Sequence, residues 1–394
     1  MIHSFIADET RRRFAFPVCE EKIFLAHAAV TPLPRVVAEA MASYAMQSSR
    51  MPQEFAEVLR DIRATRQLAA QLIGAQWEEI ALLGPTSLGL SLFANGIDWV
   101  PGDELVCYGD DYPANVYPWL DLQRRGVVVH RLRADQPGEV TPALVRAALT
   151  PRTRIVALAS CHFFSGRRLE VEEIGALLHE RNVLFALDAI QTLGAFPLDV
   201  ARAHVDMLSA DAHKWLLGPM AMGIVYVAQR HFKTIRPTLL GAWNVQSPKF
   251  LTQDTIEFVP TAQRYEPGVL NTSGVYGMKA ALELLLAVGV ENVAARLLEL
   301  KAVLLSILEP LGFHVLGPSR GAHASGITTV WHPSVDSAVL FGALEKEGIT
   351  ASLRSDRSGR DYLRFSPHFY NTEQELAKVG GVLEKALLCS MNQG

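Results

Sequence analysis

The chain has 394 residues, 49% of them hydrophobic and 20% charged, with a formal net charge of −4. That balance belongs to a water-soluble globular protein with core enough for one large domain and one smaller one. Lys and Arg are scattered, and the densest basic cluster, Arg11 to Arg13, reads as a solvated helix end, so no nucleic-acid footprint is present. The four cysteines, Cys19, Cys107, Cys161 and Cys389, form no CxxC pair, so neither a metal site nor a disulfide framework is expected, and a reducing cytoplasm is the default setting. The chain shows no apolar signal core and no run approaching the roughly 20 apolar residues that span a bilayer, so neither secretion nor membrane embedding is expected.

In chain order, Asp8 to Phe24 reads as a charged helix-like stretch leading to a short strand, and HAAVTPLPRVVAEAMASYAMQ turns into an amphipathic helix whose start Pro32 and Pro34 mark. EFAEVLRDIRATRQLAAQLIG is a second helix, stopped by Gly74. The strand EIALLG leads to a turn at Gly84 and Pro85, with Thr86 and Ser87 where the next helix begins. ELVCYGDDYP, VVVHRLRA, RIVALASCH, VLFALDAIQ, VDMLSADAHKW and MGIVYVA then alternate with helical patterns such as VEEIGALLHERN. Strands that are continuous apolar runs between helices predict an α/β fold with a mostly parallel sheet covered on both faces, and ligands bind beyond the carboxyl ends of such strands.

After the connecting helix in GVLNTSGVYGMKAALELLLAVG, the strands FHVLG, GITTVWH, ITASLR and YLRFSPH interleave with the helices SAVLFGALEKEG and TEQELAKVGGVLEKALL, the pattern of a smaller α+β unit. The expected organisation is an N-terminal segment, 1–25, packing on the small domain; a large domain, 26–270; a connecting helix, 271–295; and a small C-terminal domain, 296–394.

Two residues stand out at strand ends, Asp188 and Lys214, 26 positions apart. Each has a plain reading by itself, the acid as a helix cap and the lysine as a loop surface group. Together they match what pyridoxal phosphate requires, an amine to hold its aldehyde and a carboxylate to keep its ring nitrogen protonated. Gln191, three residues past Asp188, would place an amide beside the phenolic oxygen, and the Thr86–Ser87 helix start offers N–H and hydroxyl groups to a phosphate.

The run SGRRLEVEEIGALLHERNVLFALDAIQTLGAFPLDV…VDMLSADAHKWLLGPMAMGIVYV resembles the class V aminotransferase group of fold-type I pyridoxal phosphate enzymes, which includes cysteine desulfurases, selenocysteine lyases, kynureninases and isopenicillin N epimerase-like proteins. The likeness extends from IFLAHAAVTPLP through DYPANVYPW and YEPGVLNTSGVYG to LRFSPHFYNTEQEL. It implies a sheet of the seven-stranded type. It also implies that Lys214 bonds the cofactor covalently, Asp188 pairs with the ring nitrogen, Gln191 contacts O3′, and His213, Thr86 and Ser87 hold the phosphate. Tyr112 would stack on the ring. Asn271 and Thr272 match a segment that reaches toward a neighbour's phosphate, which implies a homodimer with the site at its interface. Arg364 matches the clamp on a substrate α-carboxylate, and Arg354, with Arg357 and Arg360, lies where a side-chain pocket would be shaped.

The chain also departs from those relatives. ITASLRSDRSGRDYLRF lacks the nucleophilic cysteine of the desulfurases, Asp211 stands where a phosphate-binding serine is common, and Ala26 and His27 replace an aspartate and an asparagine. His27 is a candidate to face the substrate, although a lone histidine is more often a satisfied structural residue; Cys161 with His162 is a lesser candidate dyad. On these grounds the expected activity is that of a lyase or epimerase acting on a small α-amino acid, not of a persulfide-forming cysteine desulfurase. The alternatives are a class V aminotransferase and a catalytically silent binding protein of the same fold. A Rossmann nucleotide-binding protein is disfavoured because no G-x-G-x-x-G follows the first strand.

Overall fold

The computed structural model describes residues 1–51 and 55–391. Glu54, which opens the second predicted helix, and the last three residues of the predicted small domain lie outside the described residues.

Three short helices, Ile2–Ile6, Glu9–Ala15 and Val18–Glu21, precede strand β1 (Ile23–Phe24). The Asp8 side chain accepts the Arg11 N–H and so caps the second of them. Arg12 does not belong to a solvated helix end as its cluster suggested: it is buried, bonded to Glu9 and to Glu375 far along the chain. Helix α1 (Arg35–Ser48) follows Pro34, and α2 (Phe55–Ile73) stops at Gly74, whose φ of +69° is costly for any residue with a Cβ.

Strand β2 (Ile80–Leu82), helix α3 (Thr86–Gly96), β3 (Glu104–Tyr108), β4 (Val128–Leu132), α4 (Pro142–Ala148), β5 (Thr153–Ala159), α5 (Val171–Glu180), β6 (Leu184–Asp188), β7 (Met207–Asp211) and β8 (Gly223–Val227) build the main sheet and its cover. The sheet has seven strands in the order β2-β8-β7-β6-β5-β3-β4, and only β8 runs against the rest. This is the expected α/β arrangement. Its apolar runs are continuous because both faces are covered. Val106, Val156, Phe185 and Leu208 face one core cluster with α2 and α5, while Leu105, Ile155, Ala186 and Met207 face another with α3 and Trp119.

Helix α6 (Thr272–Val288) is followed at once by α7 (Val290–Leu308). The expected connecting helix is therefore two, broken at Gly289, where φ is +83°. Strands β9 (His314–Leu316) and β10 (Thr328–Trp331), helix α8 (Ser337–Lys346), strands β11 (Ile349–Thr350), β12 (Ser352–Ser355) and β13 (Asp361–Phe365), and helix α9 (Glu373–Met391) complete the chain. An antiparallel sheet in the order β12-β13-β10-β9 has its own apolar cluster, and β1 pairs in parallel with β11. No described helix is long and apolar enough to cross a membrane.

Candidate active site

Strands β5, β6 and β7 end side by side, and a cavity of about 310 Å³ opens beyond them. Asp188 is the last residue of β6 and Lys214 follows β7 by three residues; Lys214 lines the cavity, and both side chains are buried, 3% and 7% exposed, and near enough for their charges to interact. Burial lowers the Lys214 amine to about 8, although the Asp188 charge pulls the other way. Burial raises Asp188 to about 6 against the hydrogen bond from the Ile190 N–H and the Lys214 charge. An amine so placed has an appreciable neutral, nucleophilic fraction near neutral pH.

Gln191 lines the cavity and is held at both ends, its oxygen accepting the Trp215 indole N–H at 3.0 Å and its Nε2 donating to the Ala28 carbonyl at 3.1 Å. One amide hydrogen remains for a ligand. Helix α3 begins at the opposite wall, where the first N–H groups of a helix have no partner within it. Its start is pinned to β7: the Thr86 hydroxyl accepts the Asp211 N–H, and Ser209 donates to the Thr86 carbonyl. Asp211, the residue standing in for serine, turns to His213 and accepts from its Nδ1 at 2.8 Å, which fixes the imidazole at the cavity edge.

Tyr112 is half-exposed, its ring centroid 5.5 Å from the Lys214 amine and edge-on to Phe163. Arg364 is 1% exposed, yet of its donors only Nη1 is bonded within the described residues, to the Phe163 carbonyl at 2.6 Å; Nε and Nη2 have no partner. Burial, reinforced by the charge of Arg354, lowers the guanidinium to about 9. Of the three arginines before it, only Arg354 lines the cavity. Arg357 is tied to Asp110 and the Gly109 carbonyl, and Arg360 lies over the Trp331 ring.

The structure corrects other expectations. His27 does not face a substrate: it is fully buried, Nδ1 bonded to the Ser366 carbonyl and Nε2 to the Tyr370 hydroxyl, and burial holds its pKa well below the ordinary value. The chain turns it inward because the β1 segment docks against Ser366 and Tyr370, a tertiary contact without local signal. Cys161 and His162 form no dyad. The thiol is buried and pushed up to about 11, while the imidazole bonds to Ser165 and to the Asp110 carbonyl. Asn271 is exposed and caps α6 by accepting the Gly274 N–H, and neither it nor Thr272 lines this chain's cavity.

Asp111 escaped the sequence reading. Its carboxylate accepts the Tyr112 N–H and the Asn115 amide, and Asn115 in turn accepts the Trp119 indole, so it fixes the loop carrying Tyr112. Burial and the nearby Asp188 push it up to about 7. The signal was present in DDYPAN, an acid at a strand exit followed by Pro and Asn, the composition of a side-chain-capped turn.

Amine, carboxylate, helix start, imidazole and aromatic wall together form the donor set pyridoxal phosphate needs, and the unpaired N–H groups of buried Arg364 fit a carboxylate beside it.

A model of the aminotransferase class-V family matches residues 23–379. A probable cysteine desulfurase of Methanothermobacter thermautotrophicus is 26% identical over 97% of this chain and 98% of its own. Among solved structures, the apo cysteine desulfurase of Thermococcus onnurineus NA1 superposes with a TM-score of 0.87 at 23% identity, over 95% of this chain and 96% of that one. C-DES, solved with glycine covalently linked to its pyridoxal phosphate, superposes with a TM-score of 0.86 at 23% identity, over 94% and 98%. These relatives overturn the expectation that the missing loop cysteine sets the chain apart from cysteine desulfurases in favour of a lyase or epimerase. The likeness to a protein of that name runs almost end to end.

Proposed function

We propose, from the premise that this chain belongs to the aminotransferase class-V family, that it is a pyridoxal phosphate-dependent enzyme cleaving the Cβ–S bond of a cysteine-type α-amino acid. The observation that carries the reading is the convergence, on one cavity, of the depressed Lys214 amine, the Asp188 carboxylate beneath it and the two free donors of Arg364.

Bound there, the cofactor supplies an electron sink for negative charge developing next to the amino group. Lys214 is the residue that would bond it, and its neutral amine would be the base that takes a proton from Cα, a task suited to a base whose pKa lies near 8. Asp188 would pair with the ring nitrogen and keep it protonated; a neighbouring cation of that kind would restore the carboxylate that burial disfavours. Gln191, oriented by Trp215 and Ala28, donates to the phenolic oxygen. Thr86, Ser87 and the Asp211-oriented His213 would hold the phosphate, and Tyr112 would cover the ring and exclude water. Arg364 clamps the α-carboxylate with the donors the fold leaves free. Among the described residues no cysteine lines the cavity, so the sulfur passes to a thiol from solution or from a second protein. The exposed start of α6, with Asn271 and Thr272, is the place where a second copy would approach, so the working unit of this reading is a homodimer.

The test is direct. Borohydride reduction should fix the cofactor on the peptide containing Lys214, and Lys214→Ala should abolish this. L-Cysteine with excess thiol should then yield alanine and sulfide in equal amounts, whereas pyruvate and ammonia in their place would sink the desulfurase reading.

A further inference from the structure

Resting on that reading and extending it to the substrate, we propose that the group carried on the substrate's Cβ binds as an anion against Arg354. In the β12–β13 ladder Ser352 lies opposite Arg364 and Arg354 opposite Tyr362. Side chains alternate along a strand, so Arg354 and Arg364 share one face as diagonal neighbours, about 7–8 Å apart along the backbone and somewhat closer at Cβ. Leu353 and Leu363 take the other face, into the core. Both guanidiniums line the same cavity.

Two cations on adjacent positions repel each other unless anions intervene. Among the described residues no carboxylate lies within 4.0 Å of either guanidinium. The acids of the site are committed elsewhere, Asp211 to His213 and Asp188 to the floor beneath Lys214. One α-carboxylate answers the buried Arg364. That leaves Arg354, nearer the solvent end of the same face, with no counter-charge until a second anion arrives on the substrate. A cysteine thiolate, a sulfinate or a carboxylate supplies it.

The experiment uses the cofactor-loaded enzyme and follows the visible spectrum as L-aspartate and L-asparagine are titrated, two amino acids of nearly equal shape that differ in charge. L-Cysteine sulfinate provides the sulfur-bearing anion. Wild type should bind aspartate and the sulfinate about tenfold more tightly than asparagine, the worth of one charge-assisted contact. Arg354→Gln should bring that ratio close to one and leave asparagine binding nearly unchanged, while Arg354→Lys keeps part of the preference. Equal binding of aspartate and asparagine by wild type overturns the proposal. So does an equal loss for both ligands in Arg354→Gln, which would make Arg354 a second clamp on the α-carboxylate. If Arg354→Gln does not take up cofactor, the wild-type ratio and Arg354→Lys decide. A parallel assay of alanine and sulfide from L-cysteine separates the two readings: failure there removes the C–S cleavage while the aspartate-to-asparagine ratio still judges Arg354.

Discussion

Replacing Arg364 by Met should make the cofactor-free protein more stable and its loaded form unable to hold an amino acid. Arg364 is 1% exposed and faces no carboxylate among the described residues, and its Nε and Nη2 are buried without partners. Each unsatisfied buried donor costs about 1–3 kcal/mol, and the one bond that would be lost, to the Phe163 carbonyl, contributes about 1 kcal/mol. Burial and the Arg354 charge also disfavour the cation itself, whose pKa falls to about 9. A methionine of similar length fills the space without these costs, so the net gain should be about 1–5 kcal/mol. Thermal unfolding of the cofactor-free proteins should show Arg364→Met melting several degrees higher. Acetate should raise the melting temperature of wild type alone, because only wild type offers the carboxylate site. In the loaded enzyme, spectral titration with L-alanine should show affinity reduced by about 10²-fold or more, the cost of losing a bidentate charge-assisted contact. A variant that melts lower than wild type would refute the reasoning, since it would mean the guanidinium is satisfied where it lies.

Asp111→Asn should change how stability varies with pH. The pKa of Asp111 is raised in the fold to about 7, so its contribution is full at acid pH and declines as pH rises toward that value. At about 1.36 kcal/mol per unit, wild type loses about 2–3 kcal/mol between about pH 5 and about pH 7 that the variant keeps, so chemical denaturation of the cofactor-free proteins should show the variant gaining on wild type across that window. A difference that is flat with pH would refute the assignment. Gly89→Ala should weaken cofactor uptake several-fold without abolishing folding. Its Cβ would fall 2.8 Å from Val225 Cγ2 and against the Ser209 hydroxyl, pushing α3, whose start lines the cavity, off the sheet. Equilibrium binding of pyridoxal phosphate measures the effect, and unchanged affinity would show that the sheet yields instead.

Much of this protein was legible from its residues in order. The buried parallel sheet follows from apolar runs such as RIVALAS and LFALD, because a strand covered on both faces has no polar side to show. Asp188, Gln191, His213 and Lys214 could be picked out because they sit at strand exits, and in a parallel sheet such exits converge on one edge whatever the loops do. Thr86 and Ser87 were readable from helix-start chemistry, a local property. The break at Gly289 was local too, though the run of Leu and Ala before it read as one long helix.

Other features depend on contacts between segments hundreds of residues apart. His27 carries no mark of being sealed between Ser366 and Tyr370. The Asp111 carboxyl is pushed up first by burial and then by the charge of Asp188, 77 positions away, and folding produces both. Of three similar arginines, the β12–β13 register alone sends Arg354 to the cavity, while Arg357 closes on Asp110 and Arg360 on Trp331. The sequence by itself determined the sheet and the kind of cofactor, since that chemistry demands particular residue types at the ends of adjacent strands. Only the tertiary structure decided which charges remain unpaired above it, because pairing, burial and desolvation are properties of neighbours in space and not of neighbours along the chain.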